Sequence, residues 1–507
     1  FDDVSPDAEI VLDFTAALDA ATVEANIYLL DAGGAKVDAS DVYDGAKRVT
    51  LKPSAGLNAY ASYRLIVDSG LKSAAGEAIL TGKVIRIRTG LDTSDKFPQI
   101  SDEELLTKVQ QQTFRYFWEG AEPTSGMARE RTSSGATVTT GGTGFGVMAM
   151  TVAAERGFVT RSEACQRVQR IVTFLAERAT SYHGAFSHWI DGQTGQTLPF
   201  SADDNGADLV ETGLLFQGLL TARAYFDGAD AAESKLRADI TALWEAVEWD
   251  FFTKEGTEKV LYWHWSPDKG WAMNMPIQGW NEALIVYVLA ASSPTHPIGR
   301  EVYAEGWARG GAMRNGKLFY DTVLPLGEDY GGPLFWAQYS FLGLNPRGLS
   351  DAYADYWEQV CNHTRINYAY CVDNPKGYAG YGADCWGLTA SDIPDGYTAS
   401  SPTNDRGVIA PTAALSSMPY TPDESMAALR FFYYKLGDKL WSDYGFIDAF
   451  DLTTGWFDRG MHIAIDQGPI VVMIENYRTG LPWNLFMSDK DVQRGLAELG
   501  FTVEAGS

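Results

Sequence analysis

Cysteine is scarce in this chain. Its 507 residues hold four, Cys165, Cys361, Cys371 and Cys385, and none lies in a Cys-x-x-Cys spacing, which excludes a zinc ribbon or dithiol redox motif. His183, His188, His264, His363 and His462 form no i, i+4 pair of the kind that binds metal on a helix. No Gly-x-Ser-x-Gly elbow or phosphate-binding glycine loop occurs, so serine-hydrolase and nucleotide chemistries lose support. Apolar runs stay well short of the roughly 18 residues a membrane span needs. Positive charge is also thin. Lys and Arg number 40 against 66 Asp and Glu, the net charge is -26, and no basic run interrupts it, which excludes nucleic acid, anionic lipid and polyanionic polysaccharide as partners. The chain opens at Phe1 without an apolar leader, as expected of a processed or trimmed product.

Aromatic residues, by contrast, are plentiful. They make up 13% of the chain, with 15 Trp, a surplus common where sugar rings are stacked upon, although an aromatic-rich core accounts for many of them. The length points to more than one domain. Up to about residue 97 the apolar residues alternate with period two, as in Ile10, Leu12 and Phe14, or Tyr63, Leu65 and Val67. Turn signals at Gly33-Gly34, Asp44-Gly45, Ser69-Gly70 and Ala75-Gly76 separate these strands, predicting a β-sandwich of immunoglobulin-like type without catalytic residues. A polar stretch, Thr89 to Pro98, then changes the period to 3.6 and sets domains of 1–97 and 98–507.

Two kinds of helix alternate in the second domain. Charged amphipathic ones are predicted near 102–119, 161–180, 231–251, 297–310, 350–369 and 422–437, the first two with capping boxes at Ser101 and Thr160. Between them, near 143–156, 208–225, 279–291, 332–343, 410–418 and 466–478, lie helices apolar on every side, which must be buried. Such alternation predicts a mainly α domain built as an (α/α)6 toroid, with an irregular helical bundle as the alternative. Gly141 to Gly146 follows no hydrophobic strand and is read as close helix packing, not as a dinucleotide loop.

Inner-helix starts of a toroid converge on one end, where pockets form. Four of these starts carry acids: Asp204, Asp208 and Glu211; Glu282; Glu328-Asp329; and Asp466. Asp208 and Glu211, spaced i, i+3, would project from one helical face, with Asp204 extending the stripe if the helix reaches back. Apolar neighbours and a nearby like charge raise the Glu211 carboxyl toward general-acid use, while the helix dipole opposes this. Asp466, before a Gly-Pro helix start, better suits a base. The bland reading makes Asp208 and Asp466 N-caps. Trp189, Trp271, Trp280, Trp336, Trp386 and Trp483 are candidate stacking platforms, joined by Tyr330; Arg131, Arg406 and Arg478 are candidate donors to hydroxyls or carboxylates.

The segments Asp208 to Gly213, Gly279 to Glu282, Tyr330 to Trp336, Asp405 to Pro411, Asp466 to Pro469 and Ile474 to Arg478 resemble the glycoamylase-like family, and within it the bacterial β-1,2-glucanases, over roughly residues 98–500. The front domain resembles bacterial immunoglobulin-like modules of exported proteins. The resemblance implies an (α/α)6 barrel that hydrolyses β-1,2-glucan, endo or exo with release of sophorose. It implies carboxylates alone as catalysts, without cofactor or metal, drawn from Asp204, Asp208, Glu211, Glu282 and Asp466. It also implies a periplasmic or extracellular monomer with an oligo- or polysaccharide substrate, in lipoprotein form if the unprocessed chain carries a lipid anchor. Glu130 stands where relatives are expected to carry Asp, which leaves its role beside Arg131 open. Three other readings remain: a glucan hydrolase of another linkage, a polysaccharide lyase, and a non-catalytic glycan-binding protein of an uptake system.

Overall fold

The structure, a computed structural model, describes residue 1 and residues 3–504. The chain separates into two compact units, Phe1–Asp95 and Lys96–Ser507. In the first, six strands form two antiparallel three-stranded sheets. β1 (Ile10–Asp13), β4 (Arg48–Pro53) and β3 (Ala39–Tyr43) make one, in that order; β2 (Ile27–Leu30), β5 (Ser62–Val67) and β6 (Lys83–Arg88) make the other. Period-two alternation sends Ile27, Leu29, Val49, Leu51, Tyr63, Leu65 and Val67 into the shared core. The register Ile10↔Leu51 and Leu12↔Val49 places β1 on that core, though Ile10 and Leu12 stay half-buried at the sheet edge. Gly34, Gly45 and Gly76 take the positive φ that the expected turns require.

The second unit is mainly helical. α1 (Asp102–Trp118) and α3 (Arg161–Glu177) begin with complete capping boxes, Ser101 with Glu104 and Thr160 with Glu163. The buried helices α2 (Thr140–Glu155) and α4 (Leu209–Tyr225) cross at their glycines, because a Cβ at Gly144 would lie 2.3 Å from the Leu214 carbonyl oxygen and one at Gly218 would lie 2.1 Å from that of Gly144. Gly141 to Gly146 is thus helix packing, as its context predicts. Outer helices α5 (Ala231–Glu245) and α7 (Tyr356–Asp373) and inner helices α6 (Leu284–Ser292) and α8 (Pro411–Leu415) follow, then α9 (Pro422–Arg430) and the inner α10 (Ala464–Arg478). α2 packs on α4, α4 on α6, α6 on the segment Tyr339–Leu342, α8 on α10 and α10 back on α2. Between Tyr339–Leu342 and α8 the link is the Gln338 side chain, which donates to the Ala413 carbonyl and Ser417 Oγ at 3.0 and 2.9 Å.

Several elements depart from the periodicity. The expected inner helix 332–343 is two 3-10 turns, Leu334–Ala337 and Tyr339–Leu342, broken by a kink at Phe341. Its buried backbone is satisfied by side chains instead of a helical ladder: Gln217 pairs with the Tyr339 carbonyl and the Gly343 N–H, and Asn476 donates to the Leu342 carbonyl. The expected outer helix 297–310 shrinks to a π-helical turn, Val302–Trp307, the 231–251 helix ends at Glu245, and α7 starts six residues later than the predicted 350. Two helices the alternation did not announce, α11 (Leu481–Met487) and α12 (Lys490–Leu499), follow α10. No helix among the described residues is long and apolar enough to cross a membrane.

At the C-terminal ends of α2 and α10, Arg156 holds the fully buried Glu475 through bonds of 2.7 and 3.0 Å. Burial acts to raise the Glu475 carboxyl, but Arg156, Thr479 and Gln110 outweigh it and hold it below its usual value. Arg156→Met would strand that charge, so we expect a loss of about 3–5 kcal/mol, read from the urea midpoint at neutral pH. A depressed carboxyl contributes stability above its unfolded pKa of about 4.3 and loses it as pH falls through the lower folded value. The difference between wild type and variant should therefore narrow in acid. A difference independent of pH would refute the pairing.

Candidate active site

A cavity of ≈ 390 Å³ opens where α2, α4 and α10 start and just before α6. Glu130, Arg131, His188, Glu211 and Glu282 supply its charged lining, and Trp189, Phe200, Trp263, Phe335, Tyr339 and Tyr397 its aromatic lining.

One carboxyl group is built around α4. Asp208 is the N-cap, extended at φ -118 and ψ 108, and its Oδ1 accepts the Glu211 N–H at 2.9 Å. The helical stripe of Asp204, Asp208 and Glu211 therefore does not exist as expected. Asp204 lies in the loop before a short strand, Ala207–Asp208, that pairs with His264–Trp265, and that pairing brings the acids together. Asp208 is thus the N-cap, and its Oδ2 also lies 3.2 Å from His188 Nδ1 and 3.8 Å from His264 Nε2. Glu211 Oε2 accepts from the Gly141 N–H at 2.7 Å and from Thr139 Oγ1 at 3.3 Å, so the glycine at the start of α2 lets a backbone donor reach it.

Charge in this group is set by burial and by His188. Burial acts to raise Asp208, but the bond and charge of His188 hold it below its usual value; burial raises Glu211 despite His188. Asp204 is pushed up to about 7 by burial and then by Asp208. Glu282 is half-buried and lines the cavity, and burial followed by the charges of Asp208 and Glu211 pushes it up to about 7. Burial acts to lower His188, yet Glu211, Asp208 and Asp204 raise it to about 9. A raised histidine contributes stability fully below its ordinary pKa of about 6.5, lost as pH rises through the folded value. We expect the His188 ring resonance to titrate near 9 by NMR; a midpoint near about 6.5 would mean that the acids do not hold it.

A second carboxyl group surrounds Arg131. Its Nε pairs with Glu130 at 2.9 Å and its Nη1 with Asp392 at 2.8 Å. The Asp392 N–H donates to Asp448 Oδ2 at 2.8 Å, and the charge of Asp448 acts on Asp466. Asp466 is not the N-cap its Gly-Pro context suggested. α10 starts two residues earlier, at Ala464, which puts Asp466 inside the first turn, buried and with no donor to its carboxyl among the described residues. Burial and then Asp448 push it well above the usual carboxylate range.

Two clusters have the spacing of metal ligands: His188, Asp204 and Asp208, and Asp392, Asp448 and Asp458, each with donor atoms within 4.8 Å of one another. Their hydrogen bonds already engage them, His188 with Asp208 and Arg131 with Asp392, and we assign neither to a metal.

Of the aromatic candidates, only Trp189 lines the cavity, its ring 4.7 Å from Phe200. The rest lie elsewhere because their rings fill packing gaps. Trp386 and Trp483 are fully buried and donate to the Glu424 and Phe341 carbonyls. Trp280 is buried with its Nε1 3.4 Å from His363 Nδ1, Trp271 packs 5.3 Å from Phe251, and Trp336 packs on Gly332. Tyr330 packs tilted against Phe319, ring centroids 4.4 Å apart. Arg406 is exposed and bonds Asn404, and Arg478 ends α10, bonded to Gln110 and Glu103, so neither reaches the cavity. Sequence reasoning missed His188, Phe200, Trp263, Phe335, Tyr339 and Tyr397. The runs His188-Trp189 and Trp263-His264-Trp265 carried a signal for two of these; nothing local marked Asp392, Asp448 or Asp458.

A family model described as "Putative glucoamylase" matches residues 274–490. The endo-β-1,2-glucanase of Chitinophaga pinensis, solved with sophorotriose and glucose, is 51% identical, the match covering 80% of this chain and 99% of that one with a TM-score of 0.77. The chain belongs to this glycoamylase-like family. A β-1,2-glucanase from Parabacteroides distasonis matches 98% of this glycoamylase-like chain and 72% of its own length, at 40% identity and a TM-score of 0.77. The exo β-1,2-glucooligosaccharide sophorohydrolase (non-reducing end) of P. distasonis is 48% identical over 421 residues, 79% of this chain; the chain spans 58% of that relative's length. A second family model, "Bacterial Ig-like domain", matches residues 2–86, the region of the two-sheet unit.

Proposed function

We propose that this protein hydrolyses β-1,2-glucan by carboxyl acid/base catalysis, in endo fashion or by exo release of sophorose. The observation that carries the mechanism is a single cavity in which Glu282 is held near neutrality as an acid while a separate carboxyl group, anchored by Arg131, stands on other lining elements. Glycoside hydrolysis needs that combination: one carboxyl to protonate the leaving oxygen and another to take a proton from water. Glu282 is the donor in this reading. Glu211, whose Oε2 is engaged by Gly141 and Thr139, fixes the floor of the site with Asp204, Asp208 and His188. Asp466 is on the base side. Trp189 and Phe200 offer the stacking surface.

The names of the relatives support the linkage, and the acidic balance of -26 disfavours a polyuronate lyase. The succession of inner helices from α2 round to α10 supports an (α/α)6 toroid over 98–507. Export to the periplasm or outside the cell, as a monomer, completes the proposal. The test is incubation of the purified protein with β-1,2-glucan, with laminarin, cellulose and starch as controls, and chromatography of the products. Disaccharide alone from the outset means exo action and a ladder means endo action. An ultraviolet-absorbing unsaturated product, or none from any glucan, sinks the proposal.

A further inference from the structure

The acidic balance of the chain conceals one basic surface. In the first unit, the residues that alternate out of the core fall on the outer face of β2, β5 and β6. The register pairs Arg64 with Arg86, Ser62 with Arg88 and Ile66 with Val84 on that face, and Tyr28 and Leu30 continue it on β2. Arg64 and Arg86 are exposed and Arg88 is half-buried, and the exposed Lys36 places its Nζ 5.5 Å from the Tyr28 ring centroid. No Asp or Glu stands at any of these strand positions.

The outer face of the other sheet is built differently. Its exposed cations each meet a carboxylate, Arg48 with Asp13 at 2.7 Å and Lys52 with Glu9 at 2.9 Å. Arg64 and Arg86 instead stand directly opposite each other, and among the described residues neither guanidinium meets a carboxylate. Like charges placed so destabilise a sheet. An anion from outside turns that repulsion into attraction.

The occupant has to be anionic and broad. A groove of ≈ 490 Å³ runs along Ser62, Arg64, Arg86 and Arg88, and the cations extend from there across to Lys36 instead of converging on one point. Apolar side chains lie among them: Val84 is 62% exposed at the start of β6, and Leu80, in the loop before that strand, is wholly exposed. A free phosphate would leave both unused. A bilayer interface offers phosphates in a plane with hydrocarbon beneath, which suits guanidiniums interleaved with apolar groups.

We propose that the outer face of β2, β5 and β6 docks this protein on an anionic phospholipid surface, with Arg64, Arg86 and Arg88 engaging lipid phosphates and Val84 and Leu80 entering the headgroup boundary. The net charge of -26 does not prevent this, contrary to the expectation from composition, because charges more than about 8 Å away are largely screened at physiological salt and the membrane meets the local face. No basic run marks the face in the sequence because strand alternation sets an apolar residue between its arginines, as in Arg86-Ile87-Arg88. Docking is independent of the proposed hydrolysis.

The test is co-sedimentation of the full chain with vesicles of mixed phosphatidylglycerol and phosphatidylcholine, and with vesicles of phosphatidylcholine alone. Wild type should bind the anionic vesicles and not the neutral ones. Its bound fraction should fall steeply between about 0.1 and about 1 M salt, as the Debye length shrinks from about 10 to about 3 Å. Arg64→Gln and Arg86→Gln should each weaken binding about fivefold, and the double variant about 25-fold. Arg48→Gln, on the sheet whose charges are paired, should bind as wild type does. The variants at 64 and 86 should melt no lower than wild type, since they relieve a cross-strand repulsion, so lost binding is not lost folding. Absence of binding to anionic vesicles, equal binding to neutral ones, or undiminished binding by the double variant overturns the proposal. So does salt-sensitive self-association without vesicles that the double variant loses, which would make the partner an acidic surface of a second copy.

Discussion

Glu282→Gln is expected to lower kcat on β-1,2-glucan by about 10²–10⁴-fold with little change in KM, because it removes the proton and keeps the shape. Burial first, then the charges of Asp208 and Glu211, push the Glu282 carboxyl up to about 7. A general acid works in its protonated form, so wild-type kcat/KM should fall as pH rises through that value, and the residual E282Q rate should lack this limb. The variant should still fold, since the Glu282 backbone carbonyl keeps its bond from Ser340. Stability offers an independent check. A carboxyl raised in the folded state is destabilising once pH passes its unfolded value, so E282Q should melt higher than wild type above pH 7 and alike near pH 4 or about there. Activity within about threefold of wild type across the pH range would remove Glu282 from the role of donor.

Gly144→Ala should have the largest effect on the fold. Its Cβ would lie 2.3 Å from the Leu214 carbonyl oxygen and 2.6 Å from Leu215 Cα, and these are backbone atoms of a buried helix that no rotamer change can clear. α2 and α4 would have to separate, at a cost of about 3 kcal/mol or more. We expect a lowered urea midpoint or no soluble protein. Any folded fraction should also be less active per molecule, because α2 carries the Gly141 N–H that holds Glu211. An unchanged midpoint would mean that the two helices do not cross at these glycines.

Much of the fold was legible because burial imposes periods. Two-residue alternation marked the strands of the first unit, and all-round apolarity marked α2, α4 and α10 as interior. The 332–343 segment misled for the same reason: it is equally apolar, but its backbone is satisfied by Gln217 and Asn476 from distant elements, so no helix is needed. Tryptophans misled in another way. Composition counts Trp386 and Trp483 with Trp189, and only packing tells a ring in the core from one facing a cavity.

By itself the sequence determined the alternation of exposed and buried helices, the glycines that let the inner ones touch, and the placing of Asp204, Asp208, Glu211, Glu282 and Asp466 at or near their starts. These follow from local period and steric size, which act over a few residues. Tertiary structure alone decided how those acids are charged. His188 reaches Asp208 from the bend before the strand Trp189–Asp191, and the charge of Asp448 acts on Asp466 from a separate loop. A carboxyl's ionisation depends on every group within a few ångströms, wherever each lies along the chain.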